Sequence, residues 1–494
     1  MNFSIAQQLT LIAPLVVVSL GAIIVMLGEV FLSKDWPRAQ FTSLILTLAF
    51  ITIFYAHGSI GYNYGTYLFS GLLLVDPYAA VISALIILSA ILAQMIGVGS
   101  QDRDGIEHQG EFYSLYLIAI GGALALVYSA EYITLFVALE TMSLALYCLC
   151  GSCLSVKRSM ESSLKYFLLG AFSSAIMLYG IALYYGSTQS TFFNAELLHY
   201  NKGAATVYVT AMGLILVGIL FKVGAVPFHF WTPDVYEGAP NAVTSFMAST
   251  IKIASVAVAI RVMWSCFGSS FIFWSTAVWY CAVLTIIAGN LIALRQRSVK
   301  RMLAYSSISN AGYMLMGLLS TNDKFGGAAA LTFYLAVYSV LTLGSLACLH
   351  VIAGEFYSKE SPDDLNRFNG LGYSRPIIAA CFSLFLLGLA GLPPGMAGMV
   401  GKLYLFSAAI KAEYVGLAII GVLGSAISCY YYLYVIVRMY FVDGENKLGS
   451  KVSYGLPIYL VIGICAVLSV FMGLFPSPLY NLSESAVMIS QLLR

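Results

Sequence analysis

Fourteen apolar runs, most of them about 20 residues long and set apart by short polar gaps, account for most of the chain. They cover residues 9–32, 38–57, 69–98, 113–129, 131–151, 162–186, 204–226, 241–264, 271–293, 300–320, 326–353, 375–410, 413–441 and 454–476. A helical run of this length crosses about 30 Å of hydrocarbon. Lipid offers no water to an exposed backbone group, so such a run must satisfy its own amides. The runs do not alternate with period two, as the strands of about ten residues in a membrane barrel would. Only 9% of the 494 residues are charged, against about 25% in soluble domains. The pattern predicts an all-α polytopic membrane protein forming a single membrane domain. The first run has no basic residue before it, unlike a secretory signal, and reads as a retained span. A net charge of +2 gives no sign of a nucleic-acid partner. The expected surroundings are the lipid bilayer.

Basic residues orient the spans. Loops after odd-numbered spans share one side of the membrane, and fifteen of the 24 Lys and Arg residues fall there, from Lys34 to Lys451. The opposite side holds Lys202, Arg261, Lys324, Lys411 and Arg494. The positive-inside rule places the first group in the cytoplasm. Both termini then lie on the outer, periplasmic side of the cell inner membrane. Lys165, Lys222, Lys252 and Lys402 remain, and all four fall within spans. Each would cost about 2.5–3.5 kcal/mol at a span centre on insertion scales, so such residues mark function unless they reach the interface. Lys165, near the start of its run, has snorkelling as an equal alternative. Lys222 and Lys252 are too deep for it.

Helix breakers coincide with two of these lysines. In "LILVGILFKVGAVPFHFWTPDVYEGAP" (214–240), Lys222 is followed five residues later by Pro227, then by His229 and Trp231. Proline inside a helix removes a backbone hydrogen bond and clashes with the preceding turn. The twelfth run is too long for one span and contains "GLAGLPPGMAGMVGK" (388–402), with Pro393 and Pro394 ahead of Lys402. Spans 7 and 12 are five apart. Two five-helix units, spans 4–8 and 9–13, would each be broken in the fourth member and run in opposite directions, as inverted-repeat transporters are built. The expected organisation is N-terminal helices in 1–110, a first repeat in 111–265, a second in 270–441, and a last helix with a short tail in 454–494.

Carboxylates within the spans are few. Glu140 is mid-span and needs either a basic partner or a proton, which makes it the natural partner of a buried lysine. Asp76, just before Pro77, reads as a helix cap. Glu131 starts a span, Glu29 lies near the interface, and Asp234 and Glu237 are expected to be solvated. Cys148, Cys150 and Cys153 in "YCLCGSC" have no fourth ligand nearby and read as small apolar filler.

The stretches "MESSLKYFLLGAFSSA" (160–175), "LFKVGAVPFHFWTPDVYEGAP" (220–240), "ASTIKIA" (248–254), "KRMLAYSSISNAGYMLMG" (300–317) and "GLPPGMAGMVGKLYLF" (391–406) carry a resemblance. Together they closely resemble subunit N of the proton-translocating NADH–quinone oxidoreductases (respiratory complex I), one of their antiporter-like membrane subunits. The resemblance runs from about residue 110 to 440. It implies a subunit that couples electron transfer from NADH to quinone, performed in partner subunits, to proton pumping. FMN, iron–sulfur clusters and quinone would belong to those partners, with no cofactor in this chain. The sequence accordingly has no G-x-G-x-x-G before a helix, no four-cysteine cluster spacing and no haem motif. The partners implied are the other membrane subunits of complex I, above all the neighbouring antiporter-like ones.

By position in these motifs, the resemblance implies that Glu140 pairs with Lys222 on the first broken helix. Lys252 would continue the path and Lys402, on the second broken helix, would end it. Lys165 corresponds to the lysine of the helix-6 motif. His229 is either a gate or proton-entry group or a hydrogen-bonded structural histidine. Related subunits often have histidine where this chain has Asn310, an amide that can orient water but not carry charge. The family is also similar to subunits of multi-component sodium/proton antiporters, which would use the same lysines. A scaffold without conduction would not need them. The tail beyond residue 476 is too short for the long lateral helix of one related subunit.

Overall fold

Polar residues at the edges of the apolar runs decide where helices begin. Ser4 forms a capping box with Gln7 ahead of Ile5–Leu11. Asp76 accepts from Ala79 N at 2.8 Å, with Pro77 at the first helical position of Pro77–Gly97. Glu131 accepts from Thr134 N at 2.7 Å at the head of Tyr132–Cys150. Each cap satisfies amides that the first turn leaves without partners. The computed structural model describes residues 4–32, 36–60, 65–100, 105–193, 202–267, 270–321, 326–354, 363–443 and 454–492. Among them, twelve helices are long and apolar enough to cross a membrane, so the chain is a polytopic helical membrane protein. Lys34, Arg103, Lys324, Lys359, Lys447, Lys451 and Arg494, part of the charge asymmetry, lie outside the described residues.

Two expected runs differ in detail. The run at 69–98 is helical only from Pro77; before it, Thr66–Leu68 and Leu73–Val75 form an antiparallel ribbon with Leu68 opposite Leu73. Positive φ at Phe69, Ser70 and Gly71 (51°, 59° and 96°) reverses the chain, and the capped start at Asp76–Pro77 stops the helix from extending back through it. This small sheet departs from the all-α expectation. The first run is divided into Ile5–Leu11 and Ala13–Phe31, with Pro14 in the opening turn of the second.

The helices at the centre differ from those at the rim. Asn241–Trp264 and Gly327–Gly354 are buried along their whole apolar length, whereas Ala13–Phe31, Val415–Phe441 and Leu456–Leu474 bury about a third and turn side chains such as Ile23, Val422 and Val467 outward. A helix apolar all round is what a lipid-facing bundle requires. Val299–Leu319 packs between Phe271–Ala293 and Gly327–Gly354. Its serines and Asn310 make it less apolar than its neighbours, although nearly every residue is buried. Ser477–Leu492, the tail, folds as a helix against Pro77–Gly97 and Gly327–Gly354.

Both expected breaks are present and are built alike. Lys202–Val223 ends at Gly224 (φ 78°), and Pro376–Ala390 ends at Gly391 (φ 85°), a left-handed conformation that only glycine adopts cheaply. In each, the next residue donates back to a carbonyl five positions earlier: Ala225 N to Leu220 O at 3.0 Å, and Leu392 N to Leu387 O at 2.9 Å. This is the Schellman closure of a helix C-terminus. Proline follows three residues after each glycine, at Pro227 and Pro394. The second limbs are Trp231–Gly238 and Met396–Lys411.

Candidate functional site: a line of buried lysines

Lys222 occupies the last turn of the first limb, and its buried Nζ has no hydrogen-bond partner. Rings surround it instead: Tyr147, Tyr166 and Phe221 have centroids 5.5, 5.4 and 5.6 Å away. The π faces give an ammonium some electrostatic support. The cage is held by Trp231, which stacks on Tyr166 at 4.6 Å and donates Nε1–H to Phe221 O at 2.9 Å. That bond ties the second limb of the broken helix back to the turn carrying Lys222. Glu140 lies on Tyr132–Cys150, and its carboxylate accepts a short hydrogen bond from Ser174 Oγ. Glu140 and Lys222 form no ion pair here; the carboxylate is engaged by the neighbouring helix instead.

Lys252 follows a π-helical turn, Met247–Ile251, a local widening often found at functional sites. It is buried, and Nζ donates to Ser307 O and Ser307 Oγ, both at 2.6 Å. Tyr338 packs its ring 5.3 Å from the ammonium and donates OH to the same Ser307 Oγ at 2.8 Å. One helical turn along Val299–Leu319, Asn310 donates to Ser306 O at 2.8 Å and accepts from Tyr334 OH at 2.6 Å. Ser306 Oγ in turn shares a short hydrogen bond with Tyr432 OH. Lys402 lies on the second limb of the second break. Its Nζ reaches back across the gap to Leu389 O (2.8 Å), Ala390 O (3.1 Å) and Ser425 Oγ (3.0 Å). Tyr313 covers it at 5.1 Å. Lysine thus occupies the carbonyls that the helix break leaves open.

Lys165 is placed apart from this line. Its side chain is 43% exposed and pairs with Glu161 at 2.7 Å and Asp234 at 2.8 Å. Arg301 joins the same group through Asp234 at 3.0 Å and Glu237 at 2.7 Å. Asp234 and Glu237 are therefore not simply solvated, as expected from the sequence: the second limb of the broken helix brings them against the start of two other helices. Burial alone would push the Asp234 carboxyl up, but Lys165 and Arg301 hold it below the usual carboxylate range. The group lines an open cavity of about 250 Å³. His229, between Lys222 and Asp234 in sequence, is buried, its ring tilted against Phe230 at 4.6 Å, with Nδ1 unpartnered. Among the described residues no set of three His, Cys, Asp or Glu could hold a metal ion.

Arg261 is a second correction. By sequence it counts, at a span end, with the basic residues of the outer side, yet it is buried and bonds to Asp76. The ring cage, the Ser307–Tyr338 support, the Asn310–Tyr334 bond and the π turn were all missed by sequence reasoning. The signal available was the recurrence of Tyr and Ser inside runs long enough to span lipid, where a hydroxyl needs a partner.

The family described as NADH:quinone oxidoreductase/Mrp antiporter, TM matches residues 129–428, a span that includes Glu140, Lys165, Lys222, His229, Lys252 and Lys402. NADH-quinone oxidoreductase subunit N of Trichlorobacter lovleyi is 38% identical over 498 residues, 99% of either chain. The protein of the same name in Mycobacterium tuberculosis is 39% identical over 389 residues, 78% of this chain and 72% of that one. A chain of respiratory complex I from Thermus thermophilus superposes with a TM-score of 0.78 at 32% identity, covering 95% of this chain and 99% of that one. The Mrp complex of Dietzia shares the fold, with a TM-score of 0.81 at 19% identity over 99% of this chain and 100% of that one. The chain belongs to the NADH:quinone oxidoreductase/Mrp antiporter membrane-subunit family, on the branch of subunit N of NADH–quinone oxidoreductase.

Proposed function

We propose that the chain is a proton-translocating membrane subunit of NADH–quinone oxidoreductase, with Lys222, Lys252 and Lys402 as its proton carriers. The observation that carries this reading is the burial of three lysines inside the bundle, each among rings, hydroxyls or carbonyls and none in an ion pair among the described residues. A structural role would favour paired or apolar side chains at such positions, because an unpaired ammonium in lipid is costly. An amine that burial makes easy to deprotonate, and that a nearby carboxylate makes easy to protonate, is suited to passing a proton on.

Glu140 is the loading group: released by Ser174, its carboxylate would stabilise the charge on Lys222. When that support is withdrawn, the proton moves toward Lys252 and then Lys402, over the hydroxyls of Ser307, Tyr338 and Tyr334 and water among them. Tyr147 OH, His229 Nδ1, Thr232 Oγ1 and Tyr313 OH, buried without protein partners, are groups of the kind that ordered water satisfies. Lys165 and its ion-pair cluster, with His229 beyond it, form the entry on the side rich in arginine. The matching Gly224–Pro227 and Gly391–Pro394 breaks support two inverted five-helix repeats, within fourteen spans once Val299–Leu319 and the broken 376–411 element join the twelve. The arginine-rich side faces the cytoplasm and both termini the periplasm, across the cell inner membrane. Redox chemistry and its FMN, iron–sulfur clusters and quinone belong to partner subunits, and neighbouring antiporter-like subunits flank this one.

The test compares inverted membrane vesicles bearing wild-type and Lys222→Ala protein, with NADH-driven quinone reduction and lumen acidification measured together. Loss of acidification, with or without quinone reduction, is expected. An assembled Lys222→Ala complex that acidifies as wild type would refute the reading. Loss of sodium-driven proton exchange with redox-linked pumping intact would assign the chain to an antiporter instead.

A further inference from the structure

Arg261 stands nine residues beyond Lys252 on the same helix, about 13.5 Å farther along its axis. It is 4% exposed, and its Nη2 donates to Asp76 Oδ1, itself on a residue 2% exposed, at 2.8 Å. The guanidinium lies 5.6 Å from the Tyr78 ring centroid, and Nε has no partner. Tyr78 OH donates to Ala257 O at 3.1 Å, which fixes the Arg261 helix one turn nearer Lys252. The pair joins residues 185 positions apart at the end of the bundle that holds the two-stranded ribbon, away from the Lys165 cluster.

The charges do not simply cancel. Asp76 Oδ1 also caps Ala79 N at the head of Pro77–Gly97, where the helix dipole contributes about half a positive charge. One carboxylate therefore faces a full guanidinium charge and a helix N-terminus, and the site is positive on balance. A guanidinium does not lose its proton in proteins, so this positive charge is fixed while Lys252 titrates. Fixed arginines and helix ends are the means by which water-conducting pores exclude protons and cations.

We propose that the Asp76–Arg261 pair is an electrostatic seal on the Lys252 site. It blocks the short way out along Lys252's own helix and so directs a proton sideways through Ser307 toward Lys402. This rests on the reading of Lys252 as a carrier. A unit charge about 13.5 Å away, at an effective dielectric of about 20, alters the occupancy of a cationic site roughly tenfold.

The seal is tested in inverted vesicles containing the whole complex, by following decay of the NADH-driven pH gradient after NADH is exhausted, alongside protons accumulated per NADH. Arg261→Met should speed decay on the order of tenfold and lower accumulation, and adding Lys252→Met to it should restore slow decay. Asp76→Asn keeps both the helix cap and the positive charge while breaking the ion pair, and should stay tight. Decay at the wild-type rate in assembled Arg261→Met would overturn the proposal. So would a leak in Asp76→Asn, because a pair acting only as a pin would fail the same way from either side; this variant decides the matter even if Arg261→Met does not assemble. If Lys252→Met alone pumps normally, it is the carrier reading beneath the seal that fails.

Discussion

Both hydrogen bonds from Lys252 Nζ end on one residue, Ser307, through its carbonyl and its hydroxyl at 2.6 Å each. Ser307→Ala removes the hydroxyl, leaves the carbonyl, and changes the volume by a single oxygen. A hydrogen bond from a charged donor contributes about 1.5–3 kcal/mol. Withdrawing it only from the charged form lowers the ratio of protonated to neutral Lys252 roughly ten- to a hundredfold. A second effect is separate: Tyr338 OH loses its acceptor, costing about 1–3 kcal/mol of stability whatever the charge on Lys252. Tyr338→Phe isolates that second effect, since it keeps both Lys252 bonds and the ring over the ammonium. In inverted vesicles matched for assembled complex, Ser307→Ala should acidify the lumen at least tenfold more slowly if loading of Lys252 limits the rate. Tyr338→Phe should lose thermal stability with a much smaller loss of pumping. Wild-type proton accumulation per NADH in assembled Ser307→Ala would show that Lys252 does not need its charge supported there, and the reasoning would fall.

Ser425→Ala takes one of three acceptors from Lys402. Pumping should fall less than in Ser307→Ala, because two carbonyls remain; an equal or greater loss in the same vesicle assay would contradict this ranking. Gly398→Ala puts a methyl onto the Gly388 carbonyl oxygen where the two limbs of the second broken helix cross. Overpacking costs about 1–3 kcal/mol or more, so native gels should show less assembled complex, and normal amounts would mean that the limbs can part. Asp363, in a loop beside the arginine-rich cluster, is pushed above the usual carboxylate range by burial, against the pull of Lys300 and Arg158, and its Oδ1 has no partner. A raised folded value makes its contribution favourable below about pH 3.9 and increasingly lost as pH rises through the folded value. Asp363→Asn should therefore raise the thermal midpoint at pH 8, with the gain shrinking toward pH 4; a gain that does not vary with pH would count against it.

The apolar runs and the two breaks were legible because lipid imposes length and proline imposes a boundary, and both are local properties. Lys222, Lys252 and Lys402 stood out for the same reason: an ammonium has few excuses inside a span. Partners across helices were not legible. Nothing near Lys252 in the chain points to Ser307, 55 residues on, and a hydropathy pattern places Arg261 near a span end without saying that Asp76, 185 residues away, will bury it. The ribbon at 66–75 was hidden because its residues are as apolar as the helix that follows; Asp76–Pro77 was the boundary signal within the run. Asp234 and Glu237 misled for a related cause. A loop after a proline looks solvated until the second limb refolds as helix and carries its acids against Lys165 and Arg301.

The three buried lysines differ in a way that bears on direction. Lys222 Nζ has rings but no hydrogen-bond acceptor, Lys252 has two acceptors, and Lys402 has three. Hydrogen bonding to the amine therefore increases from the first break toward the second. On the proposed path Lys222, without an acceptor, is the position that would gain most from an outside charge, and Glu140 is the acid that would supply one once Ser174 lets go. Loading that site through a movable carboxylate would make entry conditional, and the later transfers would run toward amines with more hydrogen-bond acceptors. The open Glu140–Lys222 pair, with the carboxylate held by Ser174, is on this reading the arrangement after the proton has moved on. The second helix break serves the same purpose on this path: Gly391 and its proline free the Leu389 and Ala390 carbonyls that accept from Lys402.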